Sequence, residues 1–201
     1  MGVDLNEPAI NFLRDIRFAN ATTRAGVPLA FFANDGMTIP GEAVANATIT
    51  LVFSWDSMVH FPPIAVTSYL AEVRRVLRPG GTAFLHHSNL RLCDSLSPCP
   101  SGLYCRGEKT MTRQFIRGVP YVRAYGNSTP CGILDHAHKN PQGRNAGTTC
   151  ESVAVDAQAH GLRVTKQERL PWGARFGFTD CLTWLERPRR RHRYPIGAAG
   201  P

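Results

Sequence analysis

Residues 47–87 read ATITLVFSWDSMVHFPPIAVTSYLAEVRRVLRPGGTAFLHH. The opening, residues 47–53, is rich in branched side chains and ends Leu51-Val52-Phe53, which predicts a buried strand. The strand runs into Ser54-Trp55-Asp56, with His60 close behind, and Pro62-Pro63 ends the segment. A helix is predicted over 64–77. Its apolar positions are Val66, Tyr69, Leu70, Val73, Val76 and Leu77, a spacing that lies on one helical face. Arg74, Arg75 and Arg78 load its last turn, where positive charge suits the helix dipole. Pro79-Gly80-Gly81 stops it, and residues 82–87 form the next strand.

Working outward, residues 3–5 read as the end of a strand, followed by a helix over 6–18. Asn6 is its N-cap, Pro8 sits in its first turn, and Ile10, Leu13 and Ile16 face inward. Residues 28–33, PLAFFA, form a short strand ended by Asn34-Asp35-Gly36. Downstream, the pattern dissolves over about 91–145, where Pro, Gly, Ser and Cys dominate. So long an irregular stretch reads as an insertion. Thr148-x-x-Glu151 then fits a capping box for a helix to His160, with Gly161 as its stop. Strands are predicted over 164–170 and 180–185.

The order is β-α-β-β-α-β, insertion, α-β-β. Strands alternating with helices predict an α/β fold, a mostly parallel sheet with helices on both faces and an antiparallel hairpin at the end. Ligands of such sheets sit at the C-terminal ends of the strands. Asp4, Asp35, Asp56 and His86-His87 all fall there. The expected domain spans 1–187, with a basic tail over 188–201.

Composition bounds the function. A length of 201 residues with 43% hydrophobic residues describes a globular domain. No apolar run is long enough to span a membrane. The N-terminus lacks the form of a secretory signal, so a cytoplasmic, reducing setting is expected. The formal charge of +8 owes five units to the arginines of 187–193, and about +3 would be left without them. The run has no aromatic stripe beside it, so it reads as a solvated tail rather than a nucleic-acid surface. Cys93, Cys99, Cys105, Cys131, Cys150 and Cys181 lack the tight CxxC spacing of zinc knuckles. Reduced, unpaired thiols are expected and no metal. A zinc site completed by His136 and His138, or disulfides, are the alternatives.

The segments "LVFSWDSMVHF" and "YLAEVRRVLRPGGTAFLHHSN" together resemble the second half of a class I, Rossmann-like S-adenosylmethionine-dependent methyltransferase. "VDLNEPAINFLRDIRF" is similar to that family's second strand and "FFANDG" to its third. "QERLPWG" and "TDCLTWLER" are similar to its closing hairpin. The resemblance covers 1–90 and about 145–187. It implies methyl transfer from S-adenosylmethionine to a small-molecule acceptor. It also implies a cofactor site made of Asp4 and Leu5, of Asn34, Asp35 and Gly36, and of Ser54, Trp55 and Asp56. The residue chemistry agrees. A carboxylate that only accepts hydrogen bonds suits ribose hydroxyls at Asp4 and an adenine amino group at Asp35. The indole of Trp55 offers a flat wall, and a sulfonium favours π faces. Each residue also has a plain structural reading: Asp4 as a helix-start residue, Asp35-Gly36 as a turn, Trp55 as core. His60, then His86, are the candidate bases for a hydroxyl acceptor, because imidazole titrates near neutrality. Either histidine can equally be a satisfied structural residue.

The family begins with a strand and a glycine-rich loop that lets the cofactor approach the backbone. No such segment occurs here, and in the family's sheet that strand is central. Unpaired buried backbone groups cost about 1–3 kcal/mol each, and several would exhaust the ~5–15 kcal/mol stability of a domain. Three outcomes are open. The chain is a fragment with further N-terminal residues, or its second and fourth strands pair directly, or another chain donates the strand. A non-catalytic binding or scaffold subunit is the rival to the enzyme.

Overall fold

A computed structural model describes residues 1–90, 144–145, 147–171 and 179–189, together with the backbone of five short strands between 92 and 132. The elements in chain order are β1 (Gly2–Asp4), α1 (Glu7–Phe12), a π-helical turn (Leu13–Arg17), β2 (Phe31–Ala33), β3 (Ile49–Met58), α2 (Pro63–Val76) and β4 (Leu77–Ser88). Next come β5 (Leu92–Cys93), β6 (Tyr104–Cys105), β7 (Arg113–Ile116), β8 (Val119–Val122) and β9 (Thr129–Gly132). α3 (Cys150–Ala159), β10 (Arg163–Leu170) and β11 (Asp180–Glu186) close the chain's order.

Local chemistry explains most boundaries. Asn6 caps α1 by accepting the Ala9 amide at 3.2 Å, as expected. Ile10 is buried, but Ile16 is 72% exposed, because the chain widens into a π turn and rotates that position outward. α2 buries Val66, Leu70, Val73 and Val76, and Leu77 is buried directly after it. The Pro79-Gly80-Gly81 segment ends the helix but is not a separate loop. It is already extended as the start of β4, with Gly80 at φ +80°. Residue 81 has no room for a side chain, since a Cβ would meet the Arg78 carbonyl oxygen at 2.9 Å. The capping box of α3 lies one residue later than predicted. Thr149 accepts the Ser152 amide at 3.1 Å, and the Ser152 hydroxyl oxygen accepts the Thr149 amide at 2.9 Å. Gly161, at φ +72°, follows that helix as its stop.

The principal sheet has the order β10-β11-β4-β3, with β3 parallel to β4 and the last two strands forming the antiparallel hairpin. β1 and β2 form a separate parallel pair. The second and fourth strands of the family pattern, β1 and β3, are therefore not bonded to each other, which removes the direct-pairing outcome. A shared cluster joins them instead. Val3 of β1 and Ile49 and Val52 of β3 pack on Ile39, Val44 and Val76. Side-chain bonds to α2 fix the same junction: the Ile39 amide donates to Glu72 at 3.0 Å, and Ser68 donates to the Met37 carbonyl at 2.8 Å.

The main core fills only one face of the principal sheet. Val66, Leu70 and Val73 of α2 and Val153 and Ala157 of α3 pack there against Ala83, Leu85 and Leu185. Helices were predicted on both faces. Among the described residues none covers the other face of this sheet, which corrects that expectation. Leu51, Phe53, Thr82, Phe84, Thr165 and Trp184 line an open hollow of about 370 Å³ there.

The stretch read as an irregular insertion holds short strands after all. β5, β9 and β6 form one small sheet, and β7 and β8 another. The zinc alternative, with His136 and His138, and residues 190–201 of the basic tail lie outside the described residues. Two of the six cysteines, Cys150 and Cys181, are joined in a disulfide that ties the start of α3 to β11. This corrects the expectation of unpaired thiols for those two. No described helix is long and apolar enough to cross a membrane.

Candidate functional site

The predicted site residues fall into two groups at the C-terminal ends of parallel strands. The first group closes β1 and β2, whose register pairs Asp4 with Ala33. The Asn34 amide donates to the Asp4 carbonyl at 3.0 Å, holding the two strand ends together. Asp4 is exposed, and its carboxylate accepts the Asn6 amide at 2.8 Å. Asp35 accepts the amides of Met37 and Thr38 at 2.9 and 2.7 Å and the Thr38 hydroxyl at 3.0 Å, all on one oxygen. Gly36 adopts φ +76°, which a side chain would strain, and the exposed Leu5 packs beside it. Both plain readings are thus real: Asp4 holds a helix start and Asp35 shapes a turn. Those duties do not conflict with ligand contact, because a carboxylate has four acceptor sites.

The second group closes β3. Ser54 is half-buried, Trp55 is 45% exposed, and Asp56 and His60 are exposed. Trp55 stacks on Phe84 at 6.0 Å between ring centroids and tilts over His86 at 4.7 Å. Asp56 has φ +53°, the left-handed region where aspartate is better tolerated than most residues.

Tyr69 of α2 links the groups. The Asn34 side chain donates to its hydroxyl, and Phe61, just beyond β3, packs on its ring at 5.4 Å. Burial raises the Tyr69 phenol above its ordinary value. The Asn34 contact opposes the shift, and the negative charges of Asp35 and Asp4 add to it. Tyr69 was read from sequence only as an apolar helix position, and periodicity carries no sign of its second role.

His86, a predicted base, lies fully buried beneath Asp56. Its Nδ1 accepts the Asp56 amide at 3.1 Å, so Nε2 carries the proton and donates to Asp180 at 2.8 Å. Arg144 grips the same buried carboxylate through Nε at 2.5 Å and Nη2 at 2.8 Å, and Nη2 stands 3.6 Å from Asp56. Burial alone would raise the Asp180 carboxyl, but bonds from His86 and Arg144 outweigh it and hold it below the usual value. Sequence reasoning missed both Arg144 and Asp180. Arg144 stands in a patternless stretch, and Asp180 looked like an ordinary strand start. His87 points the other way, as strand alternation requires, and bonds Ser88 and Thr183 at 2.8 Å each. Among the described residues no group of three or more His, Cys, Asp or Glu is placed to hold a metal.

No family model and no curated protein matches the chain. Solved structures do. An S-adenosylmethionine-dependent methyltransferase from Methanosarcina mazei is similar over 94% of this chain and 81% of its own, at 13% identity and a TM-score of 0.51. A candidate sarcosine dimethylglycine methyltransferase from Galdieria sulphuraria is similar over 92% of this chain and 68% of its own, at 9% identity and a TM-score of 0.53. At such identities the likeness is one of fold, and the chain has a class I methyltransferase fold.

Proposed function

We propose that this chain carries the S-adenosylmethionine site of a methyltransferase acting on a small molecule. The observation that supports it most is the placement of Asp4, Asp35 and the Trp55-Asp56 pair. They stand at or just beyond the C-terminal ends of β1, β2 and β3, with Tyr69 joining the two groups.

The residues fit the cofactor at both ends of the site. The exposed carboxylate of Asp4 suits a pair of ribose hydroxyls, and the Asp35-Gly36 turn offers acceptors to an adenine edge. Ser54, Trp55 and Asp56 would face the amino-acid part, where the indole wall and the carboxylate both favour positive charge. When bound, the cofactor supplies an activated methyl group on a sulfonium. The chain's own work is to orient that group and the acceptor. To His60, exposed beyond β3, this reading assigns the role of base for a hydroxyl acceptor.

Calorimetry with S-adenosylhomocysteine tests the reading. Asp4→Ala and Asp35→Ala are each expected to weaken binding about tenfold or more, the loss of a hydrogen bond to a charged group. If the unmodified chain binds neither S-adenosylmethionine nor S-adenosylhomocysteine, the enzyme reading fails. A non-catalytic binding or scaffold subunit is the second reading. One observation favours it: among the described residues β1 and β2 form a sheet of their own that is not bonded to the principal sheet.

A further inference from the structure

β3 and β4 run in register from Leu51 opposite Thr82 to Ser54 opposite Leu85, and register resumes at Met58 opposite His87. Three residues of β3, Trp55, Asp56 and Ser57, therefore face a single residue of β4, His86. A bulge of this kind breaks the ladder and re-aims side chains. It also leaves backbone donors needing partners, since a buried unpaired amide is rarely tolerated.

The side chain of His86 fills that gap. Its Nδ1 takes the Asp56 amide, and it does so only as the tautomer protonated at Nε2. Asp180 enforces that tautomer by accepting from Nε2. Arg144 in turn fixes Asp180 by a two-point grip, and its Nη2 reaches the Asp56 carboxylate. All three side chains behind Asp56 are fully buried, whereas the Asp56 side chain is 46% exposed. A rigid, fully bonded assembly thus ends in one carboxylate at the mouth of the site.

We propose that His86 is a positioning residue: it locks the bulge of β3 so that Asp56 keeps its left-handed backbone and turns its carboxylate toward a cationic amino group of the bound ligand. This rests on the cofactor-site reading above. His86 is thereby a hydrogen-bond anchor and not a base for the acceptor. Its two ring nitrogens are engaged with Asp56 and Asp180, and the ring is shielded by Trp55.

Two substitutions separate positioning from plain packing. In His86→Asn the side-chain oxygen falls near the place of Nδ1 and can still accept the Asp56 amide. In His86→Gln the amide nitrogen falls near Nε2, which keeps Asp180 but gives up the Asp56 amide. The full chain is tested with S-adenosylhomocysteine, which carries an ammonium, and with methylthioadenosine, which does not. His86→Gln and Asp56→Asn are expected to weaken S-adenosylhomocysteine about tenfold and methylthioadenosine by less than about twofold. His86→Asn is expected to restore most of the loss. Equal weakening of both ligands, or the same effect from Asn and Gln, overturns the proposal. Should the unmodified chain bind neither ligand, the function reading falls and amide exchange decides this one. The Asp56 amide must be protected in the unmodified chain and in His86→Asn but not in His86→Gln, and any other pattern overturns it.

Discussion

Nη1 of Arg187 lies 2.6 Å from the carbonyl oxygen of Leu77. The same nitrogen reaches the carbonyls of Arg74 and Arg75 at 3.1 and 3.3 Å, so one guanidinium caps the last turn of α2. Helix C-termini leave such carbonyls without helical partners, and a cation there also meets the negative end of the dipole. The backbone around Arg187 adds two bonds, with the Gly80 amide donating to its carbonyl at 2.7 Å and its own amide donating to Gly81 at 2.9 Å. Arg187→Ala is expected to cost about 1–3 kcal/mol through the lost charged hydrogen bonds. Urea unfolding measures it. Arg189→Ala, two residues on and exposed, should change stability by less than about 0.5 kcal/mol. Equal effects would mean that Arg187 is only part of a solvated tail.

That arginine also shows where sequence stopped being legible. It was read at the edge of a charge run, because composition cannot tell a capping guanidinium from a solvated one. Elements with strong local signals were legible. The apolar stripe of α2, the branched run of β3 and the glycines after α2 and α3 each tie pattern to structure through one nearby cause. Partnerships across long separations were not legible. His86 with Asp180, Arg144 with Asp56 and Asn34 with Tyr69 join residues 35 to 94 positions apart. No spacing rule reaches that far. The positions of Asp4 and Asp35 at or just beyond the ends of β1 and β2 were legible because strand bounds follow from local pattern. That no described helix lies over Phe53 and Trp184 was missed because the alternation rule states what each strand presents, not what covers it.

Acid should destabilise the protein in two stages. His87 is held to about 4 against an ordinary 6.5, chiefly by burial, with the neighbouring His86 adding to the effect. A histidine lowered in the folded state binds its proton more readily when unfolded. Stability from this group is therefore full above about pH 6.5 and declines as pH falls toward 4, by about 3 kcal/mol in all. Asp180 is also lowered, from 3.8, so its contribution is present above that value and is lost only at lower pH. Unfolding free energies at intervals from pH 7 to pH 3 check this. His87→Gln should flatten the part between 6.5 and 4 and leave the lower part in place. A profile flat down to pH 4 in the unmodified chain would contradict the burial of a neutral imidazole.

The Cys150–Cys181 bridge closes a loop with a sequence separation of 31. Both cysteines are buried, and the Cys181 backbone follows Asp180 directly, so the bridge braces the strand that anchors Arg144 and His86. Closing such a loop restricts the unfolded chain by about 3–4 kcal/mol on the entropy account. The Cys150→Ser, Cys181→Ser double variant is expected to lose about that much in urea unfolding. The unmodified chain should lose it on full reduction, and the double variant should then show no further change. A stability unmoved by removing both sulfurs would mean that the bridge is not formed in solution.

β3 gives the sharpest contrast, because neighbouring residues on it meet opposite surroundings. Val52 packs toward α2 in both core clusters, whereas Leu51 and Phe53 are 57% and 65% exposed on the uncovered face. Truncating Val52 to alanine removes two partly buried methyl groups from the core contact and should cost about 1–2 kcal/mol. Phe53→Lys gives up a stacking contact with Phe84, at 5.4 Å, but no burial of comparable size, so its cost should stay below about 1 kcal/mol. The two differ also in association. An apolar face beside the open edge of a strand invites pairing with other chains, and lysine there opposes it. Light scattering of the Leu51→Lys, Phe53→Lys double variant should show less self-association than the unmodified chain at equal concentration. Should Phe53→Lys instead unfold the protein as readily as Val52→Ala, that face must be covered in solution, and the one-sided packing of the principal sheet would have to be given up.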